Sequence, residues 1–337
     1  MWQTFNFSKS KTKFLFDGKF NEVFKLISNK NVVFITDENV FNAHQQKFKH
    51  QNCIVVKAGE SFKIQQTVDA IIDQLIEFKA NRQTTLIGVG GGVVTDITGY
   101  VASIYMRGLA FGFIPTSILG LVDASIGGKN GIDVGVYKNM VGIINQPNFI
   151  LHDYSLLSSL PVKEWQNGFA EIIKHACIKD AAMFNTLQQH NIDFFIKNKK
   201  ATAQIIKANA SIKIKVVQKD EFEKADRKLL NFGHTLGHAL ENQYDLSHGE
   251  AISIGMTYAC ELSFQEIGFK KTQEVVNTLA QYQLPTYASF NPKKAMKILQ
   301  HDKKTDEDAV HFILLQKIGK AVIQKITFEK LASFLSK

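Results

Sequence analysis

The stretch TTLIGVGGGVVTDITGYVASI, Thr84–Ile104, contains the change of pattern that decides the fold of the first half of the chain. Thr84–Val89 is a short apolar, β-favouring run that ends in the three glycines Gly90–Gly92, and a helical pattern resumes at Val93. Consecutive glycines between a strand and a helix N-terminus let backbone N–H groups approach a phosphate closely. The spacing is not GxGxxG, and glycine triplets also mark tight turns, so both interpretations stay open.

Strand-like and helix-like segments alternate on both sides of this stretch, which is the pattern of a parallel α/β sheet. Gln65–Lys79 carries apolar side chains at helical spacing. The segments that we predict as strands are Asn31–Thr36, Cys53–Val56, Thr84–Val89 and Phe111–Ile114.

The second half of the chain has helical periodicity, and Pro161 can open its first helix. We therefore predict an all-helical domain over residues 161–337 after an α/β nucleotide-binding domain over residues 1–160. The further helices predicted there are Met183–Lys199, Ala201–Val217, Glu250–Ile267 and Lys271–Gln281.

Composition narrows the class of protein. The chain has 337 residues, a hydrophobic fraction of 45% and a net charge of +9, but its lysines are scattered, which argues against nucleic-acid binding and leaves an anionic substrate as one reason for the charge. Met1–Lys13 lacks the apolar core of a secretory signal, and no apolar run has the about 18 residues of a membrane span, so we expect a cytoplasmic protein. Cys53, Cys177 and Cys260 show no CxxC spacing, and we expect reduced, buried structural thiols.

Three separated fragments indicate a metal. Glu171 in GFAEIIKH, His234 in NFGHTLGH and His248 in SHGEAISIG supply two imidazoles and one carboxylate, the donor set of a catalytic Zn²⁺ with an open position. His238 lies four residues after His234, on the same face if the segment is helical. It could be a second ligand, a base or a structural group.

The centre of the chain is rich in glycine, with 13 of the 22 glycines between Gly88 and Gly142. We predict a Gly-rich loop in the segment VDASIGGKNGIDVGVYKN, where lysines suit phosphate, carboxylates can orient sugar hydroxyls, and a merely solvated loop is the alternative. The residues considered for these roles are Asp123, Lys129, Asp133, Lys138 and Asn139.

A set of motifs in this order resembles 3-dehydroquinate synthase, within the sugar-phosphate cyclase superfamily, over roughly residues 30–320. The motifs are GVGGGVVTDITGYVASIYMRG, PTSILGLVDASIGGKNGID, YKNMVG, GFAEIIKH, LLNFGHTLGHALE, HGEAISIGM, and HDKK followed by FILLQKIG.

The resemblance implies an NAD- and Zn²⁺- or Co²⁺-dependent enzyme of the shikimate pathway. Its reaction would convert 3-deoxy-D-arabino-heptulosonate 7-phosphate into 3-dehydroquinate and phosphate by transient oxidation, phosphate elimination, re-reduction and aldol closure. It further implies a cytoplasmic homodimer with an NAD-binding N-terminal domain and a helical, metal- and substrate-binding C-terminal domain.

Carried over residue by residue, the resemblance makes Glu171, His234 and His248 the metal ligands, and makes His238 a catalytic residue. The cofactor positions would be Asp37 and Asn39 at the ribose, Glu60 and Lys63 at the adenine end, and Gly91, Gly92, Val93, Val94, Thr95, Asp96, Thr116, Ser117, Lys129, Lys138 and Ser159. The substrate positions would be Asp123, Lys129, Asn139, Lys174, Lys213, Arg227, Asn231, Lys303 and Lys304, with Arg107 reaching the substrate phosphate of the neighbouring subunit.

The chain departs from the family pattern at four positions near these residues, where Ser117, Asn130, Asp133 and Tyr137 stand in place of the commoner Thr, Thr, Asn and Gly. Tyr137 could crowd the loop near NAD, and we expect its side chain to point outward. Two alternatives are a sister cyclase acting on another sugar phosphate and a metal-dependent polyol dehydrogenase. Against the sister cyclase, a substrate with a carboxylate is favoured by Lys213, Arg227, Asn231 and Lys303. A dehydrogenase would release NADH and would not need so many cations that bind phosphate and carboxylate.

Overall fold

The structure, a computed structural model, describes residues 2–27, 31–135, 137–241, 243–300 and 308–336. Within these ranges the strands are β1 (Gln3–Asn6), β2 (Lys11–Leu15), β3 (Val32–Asp37), β4 (Asn52–Val56), β5 (Thr85–Gly90), β6 (Ala110–Pro115), β7 (Lys129–Val134), β8 (Tyr137–Ile144), β9 (Phe149–Leu151), β10 (Ala309–Lys317) and β11 (Lys320–Thr327). The α-helices are α1 (Glu38–Phe48), α2 (Gln65–Glu77), α3 (Gly92–Ile104), α4 (Val162–Lys179), α5 (Ala181–Gln188), α6 (Ile192–Lys197), α7 (Lys199–Lys219), α8 (His234–Glu241), α9 (His248–Ile267), α10 (Thr272–Gln281), α11 (Pro292–Gln300) and α12 (Phe328–Leu335).

The chain divides into two compact units, Met1–Glu164 with Ile206–Phe222, and Trp165–Ile205 with Glu223–Lys337. This division differs from a single break at residue 160, because the second part of α7 belongs to the first unit. Ala210 and Ile214 are fully buried in the core of that unit, so apolar burial assigns the segment to it.

The first unit is built on a seven-stranded sheet with the order β1-β2-β9-β6-β5-β3-β4, counted over the described residues. All neighbouring strands are parallel except β1 and β2. The four strands predicted from sequence correspond to β3, β4, β5 and β6, and the predicted parallel sheet is confirmed. Strand β5 is buried along its whole length, which explains its continuous apolar run.

The Gly-rich segment after residue 122 is not the predicted loop. Strands β7 and β8 form an antiparallel hairpin, in which Gly131 pairs with Gly142. A Cβ added at Gly131 would lie 2.6 Å from the carbonyl oxygen of Val141, so these glycines permit close strand pairing rather than loop flexibility. Tyr137 is 61% exposed, which confirms that its side chain points outward.

The second unit is mainly helical, but the prediction of an all-helical domain was wrong. Strands β10 and β11 form an antiparallel hairpin, and the turn between them contains Gly319 at φ +83°. The inner side chains of this hairpin, such as Phe312 and Leu314, pack in one cluster with α8, α9, α11 and α12. The sheet face is thus covered by helices, and its apolar pattern resembles that of a buried helix.

The single helix predicted over Met183–Lys199 is broken into α5, α6 and the start of α7. The side chain of Asn191 accepts a hydrogen bond from the backbone N–H of Phe194 at 3.0 Å and so begins a new helix. Among the described cysteines, Cys177 and Cys260 are buried as expected, whereas Cys53 is only half-buried. No helix in the described part of the chain is long and apolar enough to cross a bilayer.

Candidate metal centre and nucleotide-binding site

The three predicted metal ligands meet in the second unit. Glu171 lies in the middle of α4, His234 is the first residue of α8 and His248 is the first residue of α9. Glu171 Oε1 is 3.4 Å from His234 Nε2 and 3.2 Å from His248 Nε2. Two imidazoles therefore present the same ring nitrogen to one carboxylate oxygen.

The electrostatics of this cluster are those of a buried charge with partners on two sides. Burial alone would raise the pKa of the Glu171 carboxyl, but Lys174 and the two imidazoles hold that pKa well below its usual range. Lys174 pairs with the other carboxylate oxygen, Glu171 Oε2. Burial, with a contribution from Lys174, lowers the pKa of His234 to about 4, so this imidazole is neutral and able to bind a metal at neutral pH.

The donor set fits a divalent ion. Ligand atoms of Glu171, His234 and His248 all lie within 4.8 Å of one another, and a His₂Glu set leaves a coordination position for substrate. His234 Nδ1 is held by the carbonyl oxygen of Phe232 at 3.2 Å, which leaves Nε2 for the metal. Orientation of a ligating imidazole by a bond to its other nitrogen is the usual support of such sites.

Close backbone packing brings the three ligand segments together. A Cβ added at Gly249 would lie 2.5 Å from Asn167 Cα, and the Gly249 N–H donates to Asn167 Oδ1 at 3.2 Å. A Cβ at Gly255 would lie 1.9 Å from the carbonyl oxygen of Gly233. Helix α9 therefore touches the backbone of α4 one turn before Glu171, and touches the backbone just before His234.

His238 and Glu241 line the other side of His248. His238 is half-buried, and its ring centroid lies 5.1 Å from that of His234 and 6.4 Å from that of His248. Glu241 Oε2 is 3.7 Å from His248 Nδ1. Burial would lower the pKa of His248, but Glu171 and Glu241 outweigh it and raise this pKa to about 10.

One group of the predicted cofactor residues lies at the carboxyl ends of adjacent parallel strands in the first unit. The chain passes from β3 outward to β4 and then returns to β5 on the other side of β3, so β3 and β5 flank a topological switch point. Ligands of open α/β sheets bind in the crevice outside such a point. Asp37 ends β3, and Gly91 follows β5 as the N-cap of α3.

The glycines after β5 keep the helix N-terminus close to the end of β6. A Cβ at Gly91 would lie 3.4 Å from Ser117 Oγ, and one at Gly92 would lie 3.1 Å from Ala124 Cβ. The Thr116 N–H donates to the carbonyl oxygen of Gly90 at 2.9 Å. Two predicted groups are therefore neighbours, around backbone N–H groups suited to an anion. They are Gly91, Gly92, Val93, Val94, Thr95 and Asp96 after β5, and Thr116 and Ser117 after β6.

The remaining cofactor positions are spread more widely over the same unit. Asp37 caps α1 by accepting from the Val40 N–H at 3.0 Å, and Asn39 is exposed in the first turn of that helix. Glu60 is exposed in a short 3₁₀ turn after β4. Ser159 Oγ lies 2.9 Å from His44 Nε2, which ties it to α1.

Lys63 links the cofactor region to the β7–β8 hairpin. Its Nζ donates to Asp96 Oδ2 and to Asn139 Oδ1, both at 2.6 Å. Burial would lower the pKa of Lys63, but Asp96 outweighs it and raises this pKa to about 12. Asn139, at φ +53°, also receives support from Asp133 Oδ1, which accepts its backbone N–H at 2.6 Å.

Several predicted substrate residues are paired within their own unit. In the first unit, Lys213 Nζ is 2.7 Å from Asp123 Oδ1. In the second unit, Asn231 Nδ2 donates to Glu223 Oε1 at 2.6 Å. Arg227 is buried and belongs to the same 3₁₀ helix as Asn231. Lys129 is exposed and Lys138 half-buried on the hairpin, while Lys303 and Lys304 lie outside the described residues.

Arg107 is exposed on a strained turn after α3. Met106 and Arg107 have φ angles of +50° and +68°, a left-handed conformation that few non-glycine residues adopt. Such strain persists only where the surrounding structure fixes the backbone, and it is frequent at functional sites.

The sequence did not lead us to predict two carboxylates that contact site residues, Glu241 beside His248 and Glu223 beside Asn231. Glu241 lies three residues after His238 and seven after His234, so helical spacing could have placed it on the face of the two imidazoles. Nothing in the local pattern signals Glu223, because its contact with Asn231 depends on an irregular turn.

Comparison with known proteins assigns the chain to a family. Two family descriptions match the chain, 3-dehydroquinate synthase N-terminal over residues 53–167 and 3-dehydroquinate synthase C-terminal over residues 168–305. A 3-dehydroquinate synthase of Nitrosomonas europaea is 37% identical over 302 residues, which cover 88% of this chain and 82% of that protein.

Solved structures agree on the fold. The 2-epi-5-epi-valiolone synthase of Streptomyces hygroscopicus subsp. jinggangensis 5008, with NAD⁺ and Zn²⁺ bound, superposes with a TM-score of 0.89 at 24% identity, covering 99% of this chain and 98% of that one. A 2-deoxy-scyllo-inosose synthase complexed with carbaglucose-6-phosphate, NAD⁺ and Co²⁺ gives a TM-score of 0.87 at 24% identity, covering 99% of both chains. At 24% identity this likeness establishes the fold alone. Family membership rests on the two family descriptions and on the relative from Nitrosomonas europaea. The chain belongs to the 3-dehydroquinate synthase family.

Proposed function

We propose that this enzyme converts 3-deoxy-D-arabino-heptulosonate 7-phosphate into 3-dehydroquinate and phosphate, a step towards aromatic amino acids. The observation that carries the proposal is the buried Glu171 carboxylate facing two imidazole Nε2 atoms. The proposal is supported by a glycine-rich helix N-terminus beside a switch point of the sheet. It is also supported by a curated relative that is a 3-dehydroquinate synthase.

Residues 1–160 would supply most of the NAD-binding groups, and residues 161–337 the metal ligands and part of the substrate contacts. When bound, NAD⁺ reversibly accepts a hydride and the divalent metal supplies a Lewis acid. Glu171, His234 and His248 would hold the Zn²⁺ or Co²⁺. The backbone N–H groups at the start of α3 would bind the cofactor diphosphate, and Asp37 its ribose.

The other side chains would bind an anionic sugar phosphate and move protons. Lys129 and Asn139 would bind the phosphate, while Lys213 and Arg227 would bind the carboxylate side. Asp123 orients Lys213, and Glu223 orients the amide of Asn231. His238, half-buried beside the ligand imidazoles, would exchange protons with the substrate.

The direct test compares substrates. Purified protein with Zn²⁺ or Co²⁺ and NAD⁺ should release phosphate from the heptulosonate 7-phosphate and much more slowly from hexose or heptulose phosphates without a carboxylate. A chelator should abolish release, added metal should restore it, and His248→Ala should be inactive. Faster release from glucose 6-phosphate would instead indicate a sister cyclase.

We further propose a cytoplasmic homodimer in which Arg107 acts in the neighbouring subunit's site. Arg107 is exposed beside Ile104 and Met106, which are 41% and 44% exposed. Strand β8 also exposes apolar side chains, among them Met140 at 47% and Ile143 at 42%. An exposed apolar region of this kind is typical of an interaction surface.

Subunit complementation tests this arrangement. Arg107→Ala and His248→Ala should each be inactive alone, yet coexpression should restore roughly one quarter of wild-type activity, because half of the dimers are mixed and each contains one complete site. Absence of recovery in a purified mixed dimer would place Arg107 in its own subunit's site. A monomer in sedimentation would contradict the dimer itself.

A further inference from the structure

Glu241 is a nearly buried carboxylate to which neither the family resemblance nor the proposed reaction assigns a part. It is the last residue of α8, and 6% of its side chain is exposed. Its Oε2 lies 3.7 Å from His248 Nδ1, whereas Nε2 of the same ring lies 3.2 Å from Glu171 Oε1. The imidazole of His248 is therefore placed between two carboxylates, one for each nitrogen.

The two histidines differ in what holds the nitrogen that faces away from Glu171. A backbone carbonyl, that of Phe232, faces Nδ1 of His234, whereas a charged carboxylate faces Nδ1 of His248. Once a metal replaces the proton on Nε2, a carboxylate at this ion-pair distance favours the tautomer with the remaining proton on Nδ1 and makes Nε2 a stronger donor. His248 should accordingly be the more strongly donating of the two imidazoles.

His248 needs this support more than His234 does. The His248 side chain is 28% exposed and that of His234 is 11% exposed, so packing restrains the His248 ring less. Both residues begin their helices, so the greater exposure of the His248 ring is what distinguishes the two ligands. The opposite end of the ring is the place where an added contact limits its rotation most.

A competing role exists for the same carboxylate. Ligand atoms of His238, Glu241 and His248 also lie within 4.8 Å of one another, so Glu241 could itself bind an ion. That arrangement would use His248 Nδ1 as the donor atom, whereas an ion at Glu171 and His234 would use Nε2. The fully buried Glu171 and the second imidazole Nε2 favour the ion on the Nε2 side.

We propose that Glu241 is a positioning residue that orients His248 through Nδ1 and so strengthens binding of the divalent metal at Glu171, His234 and His248. The inference rests on the metal centre of the proposed function. Glu241 itself stays outside the coordination sphere.

The test measures metal affinity in Glu241→Ala and Glu241→Gln. Competition with a chromogenic chelator should show Zn²⁺ and Co²⁺ bound about 10- to 100-fold more weakly in Glu241→Ala. Glu241→Gln should lose less, because its amide oxygen still presents a partial negative charge to Nδ1–H. Glu266→Gln is the matched control, since Glu266 lies on α9 and pairs with Lys330 rather than with a ligand.

A spectroscopic measurement separates positioning from general destabilisation. In the Cu²⁺-substituted protein, electron spin echo modulation reports the quadrupole coupling of the remote imidazole nitrogen, which depends on its hydrogen bond. This coupling should change in both Glu241 variants and stay unchanged in Glu266→Gln, at equal thermal stability.

Three results are decisive. Metal affinity of Glu241→Ala within twofold of wild type would overturn the inference. A wild-type protein that binds two ions, one of them lost in Glu241→Gln, would overturn it too, because Glu241 would then be a ligand. A wild-type protein that binds no divalent ion at all would contradict the metal centre itself, whereas the first two results leave that centre and the turnover intact.

Discussion

The metal centre of the second unit depends on one buried carboxylate, that of Glu171. Glu171 is fully buried, and its charge persists because Lys174 and two imidazoles surround it. Removal of one member of such a cluster leaves an uncompensated buried charge. Function and stability are therefore coupled at this residue, and a variant at Glu171 must be judged by both.

His152 is a buried imidazole outside the proposed chemistry. It is 0% exposed in the first unit, and its ring lies 5.1 Å from that of Phe16 and 6.0 Å from that of Tyr154. Among the described side chains, neither ring nitrogen has a hydrogen-bond partner. Burial lowers the pKa of His152 to about 3.

His152 should make folding sensitive to acid. The folded pKa lies below the unfolded one, so the unfolded state binds the extra proton, and stability falls as the pH drops from about 6.5 towards 3. His152→Leu should remove about 1.4 kcal/mol per pH unit from the slope of unfolding free energy in this range. Urea denaturation at several pH values measures the slope, with His50→Asn as an exposed-histidine control. An unchanged slope in His152→Leu would show that His152 is not the titrating group.

Residue identities near the sites were predictable where chemistry dictates them. The metal ligands were found because imidazole and carboxylate donors suit only a few tasks, and the structure brings all three together. The contacts of Lys63 with Asp96 and Asn139 were not found, because they join residues 33 and 76 positions apart. The contacts of Asn130 were not predicted either: its amide donates to the carbonyl oxygens of Gly128 and Asn145 at 2.8 and 2.9 Å.

At the scale of elements, contacts between glycine backbones position the metal ligands. Helix α9 approaches the segment before α8 through Gly255 and Gly233, and approaches α4 through Gly249. The motifs GHTLGH and HGEAISIG therefore contain both the ligands and the small residues that let their segments meet.

Gly255→Ala tests this packing. An alanine normally favours a helix by roughly 0.5–1 kcal/mol, but here its Cβ would lie 1.9 Å from the Gly233 carbonyl oxygen. We expect a net loss of about 1–3 kcal/mol and weaker metal binding, because His234 follows Gly233 directly. Urea midpoints and chelator competition measure the two effects, with Gln265→Ala on the exposed face of α9 as the control. A stabilised Gly255→Ala protein would contradict the close approach.

Elements with one clear period were predictable, and those with competing signals were not. The strands β3 to β6 and the helices α2, α9 and α10 match their apolar spacing closely. The hairpin β7–β8 was missed because its glycines suggest a loop. The hairpin β10–β11 was missed because β10 is buried along most of its length, so its apolar residues do not alternate with polar ones.

The whole molecule consists of two compact units with different architectures. One has the parallel sheet and switch point that suit a nucleotide, and the other has the buried His₂Glu cluster. The family relation covers both, since the two matching regions run without a break from residue 53 to residue 305. Periodicity predicted the two fold classes, whereas the return of Ile206–Phe222 to the first unit required the structure.

In the proposed reaction, hydride acceptance and metal chemistry serve one redox-neutral elimination. The most direct measurement gives the metal-loaded protein excess heptulosonate 7-phosphate with far less NAD⁺, and follows phosphate and NADH together. We predict many phosphates released for each NAD⁺ and no accumulation of NADH. NADH that accumulates in step with substrate consumption, without release of phosphate, would rule out the proposed reaction and indicate a dehydrogenase.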